Sequence, residues 1–181
     1  EHAEKFGHMV IQDIGGRMMP VNTYASELLR KLSKNDTYEE FDANQVFLSM
    51  QESPMLWHNV PIIFLALKKA DSIRHIIGVD KTKKYVSFAD FITESGTYKL
   101  DPYLEEVYST TTPNAYQSQI KETDERVRLL YSAIEGDALR IFPLPEDENN
   151  KWISVNEYKS DQTIKIKDSL YGNFINNGFN A

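Results

Sequence analysis

The stretch His8-Met-Val-Ile-Gln-Asp-Ile-Gly-Gly-Arg-Met-Met-Pro-Val-Asn-Thr23 changes its periodicity halfway. Met9, Val10 and Ile11 form a short β-prone run ending at Asp13, and Arg17 to Val21 form a second. The Gly15-Gly16 pair between them supplies the positive φ of a tight turn, which predicts a β-hairpin. Pro20 cannot donate to a ladder, so the second run belongs at an edge or an exit from the sheet. Ala25, Leu28, Leu29 and Leu32 then recur at the helical period, with Asn22 or Thr23 as the expected cap and Arg30, Lys31 and Lys34 at the cation-favouring end. A hairpin running straight into an amphipathic helix points to an α+β fold.

Outward from this stretch the pattern is mostly helical. Asp42 with Gln45 predicts a capping box ahead of the stripe Ala43, Val46, Phe47 and Met50, and Pro54 lies beyond its end. Pro61 to Leu65 fits a buried strand or a helix start equally well. Asp71 to Ile77, closed by Gly78, reads as a short helix, Tyr85-Val86 as a strand, and Ser87 to Ile92 as a capped turn. Asp101-Pro102 marks the start of a helix through Tyr108.

The longest element is expected at Pro113 to Ile134. Tyr116, Ile120, Val127, Leu130, Tyr131 and Ile134 share one face, with polar Thr123 filling the remaining slot, and Glu122–Arg126 and Asp124–Arg128 form i,i+4 pairs on the other. Strand candidates follow at Leu139–Phe142, Trp152–Val155 and Thr163–Lys167, with a polar loop from Pro145 to Lys151. The Asn- and Gly-rich tail from Gly172 shows no periodicity. The expected architecture is a small, largely antiparallel sheet from the hairpin and the C-terminal strands, covered by about six helices, as one domain over residues 1–181.

Of the 181 residues, 41% are hydrophobic and 26% charged, within the globular range. Twenty Lys+Arg against 27 Asp+Glu give a net charge of −7, which argues against nucleic acid as a partner. There is no cysteine, so disulfides, thiolate metal sites, CxxC redox chemistry and haem attachment through CxxCH are excluded for this stretch. The best apolar run, Val60 to Leu67, is shorter than the roughly 18 residues of a membrane span, so no direct membrane insertion by this piece is expected. No signal peptide is visible, and the start at Glu1 suggests a processed or cut piece whose parent need not be soluble.

The histidines His2, His8, His58 and His75 have no metal-ligand spacing, and no metal is expected. Asp80 to Phe91 has an EF-hand rhythm but places Lys84, Tyr85 and Phe91 where an oxygen ligand, a glycine and a bidentate Glu belong. No GxSxG, SxxK, GxGxxG or P-loop motif is present, and the chain is expected to be non-enzymatic. The architectural reading of Gly15, Gly16, Arg17 and Asn22 is a turn, a salt bridge and a helix cap. Alternatively, the Arg17 guanidinium offers its fork to a carboxylate, such as a haem propionate or an acidic partner.

The string Phe6 to Thr23, followed by Ser26-Glu-Leu-Leu-Arg-Lys-Leu-Ser33, resembles a QD-x-x-G-R-x-x-P-x-N-T phrase of the system II cytochrome c biogenesis proteins. The resemblance is to the large ResB/CcsA-type proteins of Bacteroidetes-like bacteria. Gly96-Thr-Tyr-Lys-Leu100, Asp124-Glu-Arg-Val127, Ile141-Phe-Pro143 and Asn150-Lys-Trp152 extend it over most of the chain. It implies an extracytoplasmic domain of a membrane protein that exports haem and attaches it to apocytochrome c. The family's tryptophan-rich loop has no counterpart, since Trp57 and Trp152 are isolated. Under this resemblance the expected role is a non-catalytic interaction domain on the periplasmic face of the inner membrane, without a cofactor of its own. Its partners would be apocytochrome c or the membrane portions of its parent. Gly15, Gly16, Arg17 and Asn22 are the first candidates for a contact surface, with Trp57 and His58 added. The alternatives are direct haem binding through His8, His58 or His75, and an independent periplasmic hydrolase.

Overall fold

The structure, a computed structural model, describes residues 1–144 and 146–160. The strand expected at Thr163–Lys167 and the tail from Gly172 lie outside them. Among the described residues the order is α1 (His2–Gly7), β1 (Val10–Gln12), β2 (Met18–Pro20), α2 (Val21–Ser33), β3 (Thr37–Tyr38), β4 (Phe41–Asp42), α3 (Ala43–Glu52), α4 (Pro54–Trp57) and β5 (Ile63–Phe64). There follow α5 (Asp71–Ile77), β6 (Tyr85–Val86), a 3-10 turn (Ala89–Phe91), α6 (Asp101–Ser109), α7 (Ala115–Ile134), β7 (Phe142–Pro143), β8 (Trp152–Ile153) and α8 (Val155–Ser160). The α+β expectation holds.

The strands form separate two-stranded antiparallel ladders, β1–β2, β3–β4, β5–β6 and β7–β8. The expected hairpin is present, with Val10 opposite Pro20 and Gln12 opposite Met18. It does not merge into one sheet with the C-terminal strands. Instead the Gln12 amide donates to the Arg140 carbonyl at 3.0 Å, and the Gln12 side chain reaches the β7–β8 ladder. Ile63–Phe64 is a strand because Tyr85–Val86 pairs with it, a tertiary choice that periodicity leaves open.

Two helix starts differ from expectation. α2 begins at Val21, with neither Asn22 nor Thr23 as cap, because the Val21 N–H already donates to the Met9 carbonyl at 2.8 Å. α7 is capped by Asn114, whose side chain accepts from the Gln117 N–H while Gln117 accepts from the Asn114 N–H. The capping box at Asp42 and Gln45 forms as expected, and Gly78 closes α5 with φ 77°.

α2, α3 and α7 enclose the main core, where Ile11, Leu29, Leu32, Phe47, Ile120 and Leu130 are all buried. Phe142 and Ile153 head a smaller cluster beneath the β7–β8 ladder. The buried face of α7 is rotated from the expected stripe. Thr123 is buried as expected, but Tyr116 and Tyr131 are exposed, whereas Gln117, Asp124 and Arg126 are buried.

Candidate functional site

The hairpin turn is organised by Asp13. Its Oδ1 accepts from the N–H groups of Gly15 and Arg17, both at 2.9 Å, and its own N–H donates to the Arg17 carbonyl. Gly16 sits at φ 85°, a conformation that a side chain would strain. The Arg17 backbone N–H chiefly, together with Gly15 and the Arg17 guanidinium, holds the Asp13 carboxyl below its ordinary value despite the opposing effect of burial. The Arg17 guanidinium is partly engaged within the chain and 59% exposed: Nε lies 3.3 Å from Asp13 Oδ2, and a terminal nitrogen lies 3.4 Å from Glu27. Asn22 is exposed in the first turn of α2.

Behind the hairpin a cleft of about 480 Å³ runs between α2 and α7, lined by Met19, Tyr24, Glu27, Lys31, Arg128 and Arg140 among others. Burial, reinforced by the Asp13 charge and partly offset by Arg140, pushes the Tyr24 phenol up to about 12. At the hairpin tip Ile14 is 91% exposed.

Trp57 and His58 lie elsewhere. Trp57 is buried at the end of α4 and donates from Nε1 to Ser49 Oγ at 3.1 Å. It also walls a second groove of about 450 Å³, with Tyr38, Phe41, Val46, Leu48 and Val60. His58 packs edge-on against Phe88, centroids 5.1 Å apart, with Nε2 3.8 Å from Glu135. Phe88 in turn stacks on Tyr131. The candidate residues therefore occupy three places: the hairpin, the Trp57 groove and the Phe88–Tyr131 stack. Among the described residues no cluster of three or more His, Asp or Glu side chains is arranged to hold a metal ion.

Sequence reasoning missed three buried charged groups. Asp124 is fully buried and accepts from the hydroxyls of Tyr98 at 3.0 Å and Tyr108 at 2.7 Å, and from Arg128 Nε at 2.7 Å. Arg126 holds the Lys31 and Phe64 carbonyls and pairs with Glu122. Arg74 fastens α5 to the β5–β6 ladder through the carbonyls of Leu65 and Lys83, at 2.7 and 2.8 Å. The available signal was Asp124 itself, since residues 120, 123, 124 and 127 follow one helical face.

Among the described residues the fold is thus an α+β module that carries a cleft walled by charged residues and a separate groove walled by aromatics. No family model matches the chain. It is 32% identical over 160 residues to protein NrfI of Wolinella succinogenes, an overlap covering 87% of this chain and 17% of NrfI. The chain spans about a sixth of that relative's length, and the similarity bears on that portion. It also corrects the expectation of a non-enzymatic chain. The relative points to an enzyme, so that expectation is not kept. The absence of hydrolase and nucleotide-binding motifs bears only on the chemistries those motifs serve.

Proposed function

We propose that this chain is part of a cytochrome c haem lyase, lies on the outer face of the bacterial inner membrane, and engages apocytochrome c while haem is attached. The type we infer is system II, with the remainder of a ResB/CcsA-type protein supplying the membrane portions. One observation carries this reading: an identity of 32% spread over 87% of the chain, too long an overlap to reflect a single shared motif. The chain spans about a sixth of that relative, so its task is one step within a larger machine. Haem enters this reading as the cargo of the reaction.

An in-frame deletion of the segment from its parent tests the proposal. Covalent haem on c-type cytochromes, read by haem staining and normalised to apoprotein, is expected to fall by at least tenfold. Normal holocytochrome levels would overturn it. Fusion of a periplasm-active reporter within the segment checks the compartment, and a reporter active only in the cytoplasm would contradict it.

A further inference from the structure

The groove beside the buried Trp57 joins partly exposed aromatic surface, at Tyr38 and Phe41, to a rim of carboxylates. Tyr38 and Trp57 lie with ring centroids 5.8 Å apart, tilted by 58°. Phe41, across the β3–β4 turn from Tyr38, is 42% exposed. Glu1 and Glu52 line the groove directly. Glu39 and Glu40, both exposed, form the turn between two of its lining residues, Tyr38 and Phe41. The cations beside the rim are Lys5, which pairs with Glu1 at 3.4 Å, and the Glu1 amino group of the 181-residue chain, so Glu52, Glu39 and Glu40 carry the rim's net negative charge.

We infer that this groove docks a cationic segment of a partner polypeptide. A lysine or arginine stem lies along Phe41 and Val60, and its charged head meets the accessible aromatic edge and the glutamate rim. Amphipathic cations bury their methylenes and keep the charge at the edge of an apolar surface. Contact of a cation with an aromatic face adds roughly 0.5–2 kcal/mol. The rim and the chain's net charge of −7 attract such a segment and repel an anionic one. For the same reason the groove disfavours a porphyrin, whose propionates would meet Glu1, Glu39, Glu40 and Glu52. The inference rests on the reading above that the chain engages another polypeptide, and the two can fail separately.

The test is a fluorescence titration of the 181-residue chain carrying Trp152→Phe, which leaves Trp57 as the reporter. The probes are a synthetic peptide alternating Lys with Phe, its Glu-for-Lys counterpart, and haemin. The lysine peptide is expected to bind at least about tenfold tighter than the glutamate peptide, a difference of about 1.4 kcal/mol. Its affinity should fall as salt shortens the screening length. Phe41→Ala, and separately Glu39→Gln with Glu40→Gln, should each weaken it by about fivefold or more, while Glu94→Gln, at an exposed glutamate outside the groove's lining, leaves it unchanged. Circular dichroism confirms that each variant is folded. Equal binding of both peptides, unaltered binding by the groove variants, or haemin displacing the lysine peptide from the groove would overturn the inference. Introducing the groove variants into the parent separates the two readings: normal holocytochrome with lost peptide binding sinks the groove's role and leaves the assembly role standing.

Discussion

The Trp152 amide donates to Gln12 Oε1 at 2.6 Å and so splices two ladders whose residues lie 140 positions apart in the chain. The other end of the same side chain donates to the carbonyls of Asn150 at 3.1 Å and Gly16 at 3.2 Å. Gln12 is buried, so its amide stands where a third set of ladder bonds would otherwise be needed. Gln12→Leu keeps the volume but strands the Trp152 N–H and two carbonyls. Each buried group left unpaired costs roughly 1–3 kcal/mol, and partial rehydration reduces the sum, so the expected loss is about 2–3 kcal/mol in urea unfolding. Hydrogen exchange at Trp152 should accelerate with it. A loss below about 0.5 kcal/mol would show that water replaces the side chain.

Asp124 gives a harsher case, because a buried carboxylate collects three donors. Asp124→Asn removes the charge that Arg128 and two phenols share, and turns an NH2 group toward them. Breaking a buried ion pair costs about 3–5 kcal/mol, and part of that is recovered here because Arg128 is exposed, so about 3 kcal/mol is expected. Thermal unfolding of the variant against the parent chain checks this, and a loss under about 1 kcal/mol would contradict it.

The same cluster makes stability fall at high pH. Burial first, then the Asp124 hydrogen bond and charge, pushes the Tyr108 phenol up to about 12, and burial with Asp124 also raises Tyr98. A phenol whose folded value exceeds its unfolded one stabilises the fold fully below the unfolded value, near 10, and loses that contribution as pH rises through the folded value. Stability should therefore decline between about pH 10 and 12, with phenolate absorbance rising in the same window. Tyr108→Phe should remove part of that dependence and also lower stability near neutral pH by about 1–2 kcal/mol, because buried Asp124 loses a donor. An unchanged alkaline limb in Tyr108→Phe would assign the decline to other groups.

Local chemistry announced much of this fold. The Gly15-Gly16 hairpin, the Asp42–Gln45 box and the Gly78 stop are decided within a few residues, and each forms. What stayed hidden was long-range pairing. Ile63–Phe64 becomes a strand only because Tyr85–Val86 lies beside it, and Asp124 is buried because Tyr98 and Tyr108 bring donors from other segments. The phrases carrying the family resemblance meet at these junctions: Gln12 touches Asn150 and Trp152, and Tyr98 touches Asp124. They mark how the fold is tied together, and this explains why they did not converge on a site. The groove beside Trp57 was illegible for a related reason, since Tyr38, Phe41 and Val60 reach it from different elements.

Gly7 and Asn44 form a pair whose variants should compensate. A Cβ built at Gly7 would lie 2.8 Å from Asn44 Nδ2 and 2.9 Å from its Cγ. Asn44 Oδ1 is itself buried without a hydrogen-bond partner. Gly7→Ala alone must push that side chain aside and loosen α1 from α3, at about 1–2 kcal/mol. Asn44→Ala removes both the obstacle and the unpaired oxygen, so Gly7→Ala with Asn44→Ala should be at least as stable as the unaltered chain. Additive losses in a double-mutant cycle would show that the two side chains do not interact.

Arg17 separates surface contribution from fold contribution. Its side chain is 59% exposed and its pairs with Asp13 and Glu27 lie at 3.3 and 3.4 Å, the kind of exposed pairing worth about 0–1 kcal/mol. Arg17→Ala should therefore cost less than about 1 kcal/mol in urea unfolding. The acid limb should persist as well. Asp13 is held below its ordinary value chiefly by the Arg17 backbone N–H, which the substitution keeps. A depressed carboxyl stabilises the fold above its unfolded value, 3.8, and loses that contribution as pH falls through the lower folded value. If the hairpin contacts a partner, the same variant in the parent should lower holocytochrome yield while the protein accumulates normally. Unfolding of the isolated variant, or yield unchanged beside a stable fold, would each confine Arg17 to its two acidic neighbours.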